Sequence, residues 1–300
     1  MRDVERKSEP DGRRDRGGYG LATAAMLVVG SSVAASSLIV DYPILTGQAI
    51  RYAIGAVILV AIARRTLVRP GRRELVILTA LAGLGLVGFN VFLLAALREA
   101  DPALVGVVIG AVPIVLALVG PVMSGQRPER RIVGAAVLVT AGVIIVQWDE
   151  SESTLLGLVL ALGAMGCEAA FSLLAIPVLG RLRPIGVATY TSALAVPLLV
   201  VLALSFESSD IALPAAAEIV ALVYLGAVVT AAAFLAWYSA IARVGVARAG
   251  LFAGLVPIAA LGASAAIGTS EVTFFRLLGA LVVFAAILIG VGQGNRRSAP

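Results

Sequence analysis

The chain has no histidine, a single lysine (Lys7) and a single cysteine (Cys167) in 300 residues. Without histidine there is neither a His-based metal cluster nor a Ser-His-Asp triad. A Walker-type phosphate loop needs a lysine behind its glycine-rich turn, and Lys7 has no such setting, so ATP-driven pumping by this chain alone is not expected. One cysteine excludes an intrachain disulfide; Cys167 stands in an apolar segment and reads as core packing. Charge is scarce as well. Only 14% of residues are charged against 60% hydrophobic, and the mean hydropathy is +1.02. No water-soluble domain of this length is expected to tolerate that balance, which describes an all-α integral membrane protein in a lipid bilayer. No catalytic constellation, metal site or cofactor is expected.

The formal charge of +5 and pI near 9.9 would suit nucleic acid if the basic residues gathered on one face. They are instead spread through short connections, so membrane orientation explains them and no nucleic-acid partner is expected.

The most informative pattern is written twice. Gly106, Gly110 and Pro113 stand in GVVIGAVP, with Gln126 and Gly134 further on; Gly250, Gly254 and Pro257 stand in GLFAGLVP, followed by Glu271 and Gly279. Pro113 and Pro257 are 144 residues apart and the two later glycines 145, about half the chain. A glycine every fourth residue puts a flat stripe on one helix face, where another helix can approach closely in lipid. Proline leaves the carbonyl four residues earlier without its amide, which in a membrane must be replaced by protein, water or a bound solute. Two interrupted helices at matching positions of two halves point toward a transporter's binding region; close-packed, kinked helices with no ligand near them are the plain alternative.

Read in order, residues 1 to 18 mix both charge signs with Pro and Gly and are expected to be disordered. Ten spans follow at about 19–40, 44–63, 75–97, 103–123, 132–147, 154–178, 185–205, 216–240, 246–268 and 274–293. They group as a first five-helix repeat over 19–147 and a second over 154–293, with a short tail at 294–300. If the amino terminus is cytoplasmic, 20 of the 23 basic residues fall inside; the others are Arg51, Arg98 and Arg276. The positive-inside rule therefore favours ten spans with both termini cytoplasmic. Because five is odd, the second half must cross the membrane in the opposite sense to the first, as two inverted repeats.

At this point the sequence resembles the drug/metabolite transporter superfamily, in particular its EamA-type members, over roughly residues 20 to 292. The matching pieces are Gly30-Ser31-Ser32 in the first span, Arg51 in the second, Pro113 and Pro257 in the fourth and ninth, and Gly134 and Gly279 opening the fifth and tenth. The family's usual Gly-Glu pair after the fourth span is Ser124-Gly125-Gln126 here; Glu271 is preceded by Ser270; Val29 and Glu168 stand where tryptophans are common. The resemblance implies a ten-helix chain from a duplicated five-helix unit. It implies export, or sometimes uptake, of amino acids, metabolites or drugs across a prokaryotic plasma membrane by alternating access.

Only two ionisable side chains fall well inside the spans. Glu168 sits mid-span in GAMGCEAAF, where an unpaired carboxylate is costly, so it is expected to be protonated, paired with an arginine or facing a wet cavity. It is the candidate proton-coupling group; a neutral acid bonded to a neighbouring helix is the alternative. Arg51 lies nearer the outer end of its span, with a substrate or ion-pair role on one side and snorkelling to headgroups on the other. Gln48, Asn90, Thr230 and Tyr190 are neutral candidates for lining a cavity or bonding between helices. Trp148 and Trp237 fall near expected interfaces and are assigned no substrate role. One acid and one arginine suit a zwitterion such as an amino acid, whereas mostly apolar walls suit a hydrophobic drug. A gradient-driven transporter for small organic solutes, with protons as a coupling ion, is the leading reading. A non-transporting scaffold or an intramembrane enzyme is the rival, and substrate identity, direction and oligomeric state stay open.

Overall fold

Long apolar segments with short polar connections leave the backbone one economical solution in lipid, the helix, since it satisfies its own N–H and C=O groups. A computed structural model describes residues 11–147, 154–266, 268 and 273–292, and among these there is no strand. The helices are α1 Asp11–Ser36, α2 Ile44–Ala63, α3 Arg72–Glu99, α4 Pro102–Met123, α5 Arg130–Val146, α6 Leu155–Leu173, α7 Ile176–Phe206, α8 Ala216–Val244, α9 Val246–Ala266 and α10 Phe274–Val291. Nine of them are long and apolar enough to cross a membrane. The remaining one, α5, has 17 residues, which at 1.5 Å per residue rises about 26 Å, at the short end of what spans a hydrocarbon core.

The duplication is visible in the backbone. Helix starts recur 144 residues apart in four of the five pairs: Asp11 and Leu155, Arg72 and Ala216, Pro102 and Val246, Arg130 and Phe274. A wider, π-helical stretch interrupts α3 at Leu81–Gly88 and α8 at Leu225–Ala232, again 144 apart. Packing repeats as well. α1 lies against α8 and α9, and α6 lies against α3 and α4; α2 packs on α7 and α5 on α10. Exchanging the two halves leaves this pattern of neighbours unchanged.

Three sequence expectations are corrected. Residues 11–18 are helical rather than disordered, because the start of α1 packs onto the end of α8: a Cβ at Gly18 would meet Val244 Cγ1 at 2.5 Å, and one at Gly17 would meet Arg243 Nη1 at 2.8 Å. Residues 1–10 lie outside the described residues. Helix α6 ends at Leu173, before the expected 178; α7 starts at Ile176 and breaks at Arg183, whose φ of 60° precedes Pro184, and proline disfavours helical backbone at the residue before it. Gly134 and Gly279 are not equivalent. Gly134 faces open space, whereas Gly279 is pressed on Gly142 where α10 crosses α5, with Val146 N 2.7 Å from where its Cβ would be.

The buried core is lopsided along the bundle. One large cluster fills the end bounded by the α2–α3, α4–α5, α6–α7 and α8–α9 connections and runs to the middle. Near the opposite end a small separate cluster centres on Ala96, Val105 and Ala161.

Candidate functional site

That uneven core leaves a cavity of about 400 Å³ lined by every helix except α7 and α10. It extends from mid-bundle toward the end that carries the α1–α2, α3–α4 and α5–α6 connections, with Gly106, Gln147 and Ala260 at its outer reach. The other end holds a second recess of about 380 Å³ lined by Gln126, Arg127, Glu129 and Val244 to Arg248, where Arg248 pairs with Glu129 at 3.5 Å. Chain order shows what separates the two. Between the stretches that line one and the other lie Leu116 and Ala117 on α4, Ala135, Ala136 and Val139 on α5, Ile241 on α8 and Leu251 on α9, each at most 5% exposed. These side chains seal one end of the cavity.

Helix breaks shape the wall. The first half of α4 ends at Ile109 and the second begins at Val112, so Pro113 falls in a first turn where its missing N–H breaks no bond. The Gly110 carbonyl at this break accepts from Thr140 Oγ1 on α5 at 3.3 Å. In α9 a tighter 3₁₀ stretch, Leu251–Gly254, stands just before Pro257. Gly106, Gly110, Pro113 and Pro257 all line the cavity; Gly250 and Gly254 do not. Those two lie along the seal, where a Cβ at Gly250 would meet Leu116 Cδ1 at 2.9 Å and one at Gly254 would run into Val139. On α4 the equivalent positions receive Gln147 at Gly106 and Val143 at Gly110.

The polar candidates divide clearly. Arg51 lines the cavity and turns into the bundle instead of snorkelling: Nε donates to Thr230 Oγ1 (2.9 Å), Nη1 donates to Gln48 Oε1 (3.3 Å), and the guanidinium carbon lies 5.2 Å from the centre of the Tyr52 ring. Thr230 sits fully buried in the π-helical stretch of α8, and such stretches often mark functional positions. Thr230 and Gln48 thus hold Arg51 rather than line the cavity themselves. Glu168 and Asn90 both line it. Asn90 Nδ2 donates to Leu86 O (2.7 Å) and Tyr52 OH (3.4 Å). Glu168 is half-buried and makes no hydrogen bond or ion pair among the described residues. Tyr190 is elsewhere; its hydroxyl donates to Val68 O (3.2 Å) and ties α7 to the α2–α3 connection. Cys167 is free and buried, as expected.

The floor is aromatic, and sequence reasoning missed it. Phe171 and Phe234 lie 4.8 Å apart between ring centres, Tyr52 and Phe234 6.3 Å, and Trp237 Nε1 donates to Ser172 Oγ (3.1 Å). Trp237 is 4% exposed and lines the cavity, which corrects its expected place at an interface: α8 runs on to Val244, so this residue lies two turns inside. Trp148 lies outside the described residues. A signal was available in the spacing, since Phe171 follows Glu168 by three residues and Trp237 follows Phe234 by three, the separation that shares a helix face.

Comparison with known proteins fits this arrangement. The chain is 23% identical over 291 residues to "Uncharacterized transporter YetK" of Bacillus subtilis (strain 168), covering 93% of this chain and 88% of that one. It is 24% identical over 229 residues to "Uncharacterized transporter YyaM" of the same strain, covering 74% of each. A solved crystal structure shares the fold at a TM-score of 0.81 with 20% identity, over 95% of this chain and 99% of the other. The EamA-like transporter family matches twice, at residues 16–148 and again at 155–291. With almost its whole length matched, the chain belongs to the EamA-like transporter family and is a multi-pass membrane transporter.

Proposed function

We propose that the chain is a secondary active transporter that moves small organic solutes across the plasma membrane by alternating access, most simply in the direction of export. The observation that carries this reading is a cavity sealed at one end by fully buried side chains, reaching toward the other, and lined by Arg51 and Glu168, neither of which forms an ion pair among the described residues. Such groups inside a membrane bundle mark solute or ion pathways by default, since burial without a role is costly. The inverted arrangement of two five-helix repeats follows if each helix crosses once, and with cytoplasmic termini the cavity of this conformation faces the exterior.

Repeat exchange supplies the other conformation. Leu116 on α4 closes on Gly250 of α9 in the sealed end; 144 residues on from Leu116 is Ala260, and 144 before Gly250 is Gly106, both lining the open cavity. The alternate state brings Ala260 of α9 against Gly106 of α4 and parts Leu116 from Gly250. Glu168 carries the coupling proton in this scheme, because a carboxyl inside the cavity can meet water from whichever side is open.

The test is counterflow of a mixed panel of labelled metabolites in liposomes that contain only this chain. Accelerated exchange of at least one solute is expected. Absence of exchange for the whole panel in folded, inserted protein would favour the rival reading, a non-transporting scaffold.

A further inference from the structure

The two ionisable groups of the cavity are not chemically equivalent. A glutamate has a neutral form available to it in an apolar wall, whereas an arginine keeps its charge at every pH a cell offers. The guanidinium has five N–H donors, and the structure shows bonds from two of its nitrogens, to Thr230 and Gln48. Both acceptors are neutral, and so is the Tyr52 ring beneath. Among the described residues Arg51 makes no ion pair, although it lies in α2 eight residues from the nearest connection. A fixed positive charge held by neutral groups beside a cavity is an electrostatic debt that a bound anion removes.

The surroundings suit an anion with an apolar body. Thr230 and Gln48 hold the side chain in one geometry, so its remaining N–H groups are preorganised for the two oxygens of a carboxylate. Phe171, Phe234 and Tyr52 offer ring faces and edges in the same cavity. Glu168 does not compete for the guanidinium, since it is not within ion-pair distance. A cationic solute has aromatic faces and Glu168 to attract it, but the fixed charge of Arg51 opposes it in a site where charges are poorly screened.

Resting on the transporter reading above, we propose that the solute is a small organic anion, its carboxylate or equivalent group bound by the Arg51 guanidinium and its apolar body laid against Tyr52, Phe171 and Phe234.

The experiment uses the purified full chain and three probe pairs, hexanoate, 3-phenylpropanoate and indole-3-acetate, each with its primary amide, plus 3-phenylpropylamine. Thermal stabilisation in detergent reports binding and counterflow in proteoliposomes reports transport. At least one acid should bind at least about tenfold more tightly than its amide, as expected when a charge-assisted bond is lost. In Arg51→Gln that preference should vanish, and in Arg51→Lys it should persist with weaker binding. If the glutamine variant does not fold, the acid–amide comparison in the native chain still decides. Equal binding of acid and amide, preference for the amine, or an unchanged preference in Arg51→Gln overturns the anion assignment. Flux of amine or amide without acid overturns it while leaving the transporter reading intact, and no binding or flux of any probe or of the metabolite panel overturns both.

Discussion

Arg51 of α2 and Glu168 of α6 line one cavity without forming an ion pair. Each half of the chain thus contributes one acidic or basic side chain, and the two are kept inside the bundle by different means. Arg51 is held by Thr230 and Gln48 and by the Tyr52 ring; Glu168 faces the cavity with no hydrogen bond or ion pair among the described residues. Had they paired, their charges would cancel and neither would be available to a solute or a proton.

Replacing Glu168 with glutamine keeps size and hydrogen bonding and removes titration. In proteoliposomes, Glu168→Gln should lose pH-gradient-driven accumulation while solute exchange without a gradient is retained. Loss of both would make the residue a solute ligand instead, and native behaviour in both assays would leave it no functional part.

The glycines of α4 and α9 can be tested together. A Cβ at Gly110 already runs into Val143 and one at Gly254 into Val139, so leucine at either overpacks a helix contact at a cost of about 1–3 kcal/mol. Gly110→Leu with Gly254→Leu should insert into the membrane yet show a lower melting temperature and strongly reduced flux. Unimpaired flux would show that close approach at these positions does not matter.

Closure of the open mouth predicts a change in access at Ala260. In a Cys167→Ser background, Ala260→Cys should react with a membrane-impermeant thiol reagent from one side of the membrane only. Saturating transported solute, by cycling the protein through the exchanged state, should slow that reaction several-fold. A labelling rate indifferent to solute would argue against docking of Ala260 on Gly106.

Orientation is checked by reporter fusions. Placed after Glu152 they should report the exterior, and after Arg183 the cytoplasm, as the distribution of 20 of 23 basic residues favours. The reverse pattern would turn the cavity toward the cytoplasm.

Much of this architecture was legible in one dimension because its causes are local or periodic. Apolar runs of about 20 residues become helices in lipid whatever surrounds them, and a 144-residue offset between Pro113 and Pro257 announces a duplication that the π-helical stretches at Leu81 and Leu225 repeat in the backbone. Glu168 and Arg51 stood out for the same reason, being ionisable residues where lipid tolerates few.

The residues around them needed the third dimension. Nothing local says that Thr230, 179 residues from Arg51, accepts from its guanidinium, or that Tyr190, equally polar, bonds Val68 far from the cavity. Interhelical partners depend on the rotation of each helix about its axis, and that is set by packing across the whole bundle. The seal is of the same kind: Leu116, Val139 and Leu251 are ordinary apolar residues in sequence, and only their convergence from three helices onto one level closes an end of the cavity. By itself the sequence determined the number of helices, their duplication and the two charges inside them, because hydropathy and repetition are properties of the chain. Which charges meet a cavity, what holds them and which end is shut were decided by tertiary structure, because those depend on how separate helices pack, in some cases across more than a hundred residues of chain, as between Arg51 and Thr230.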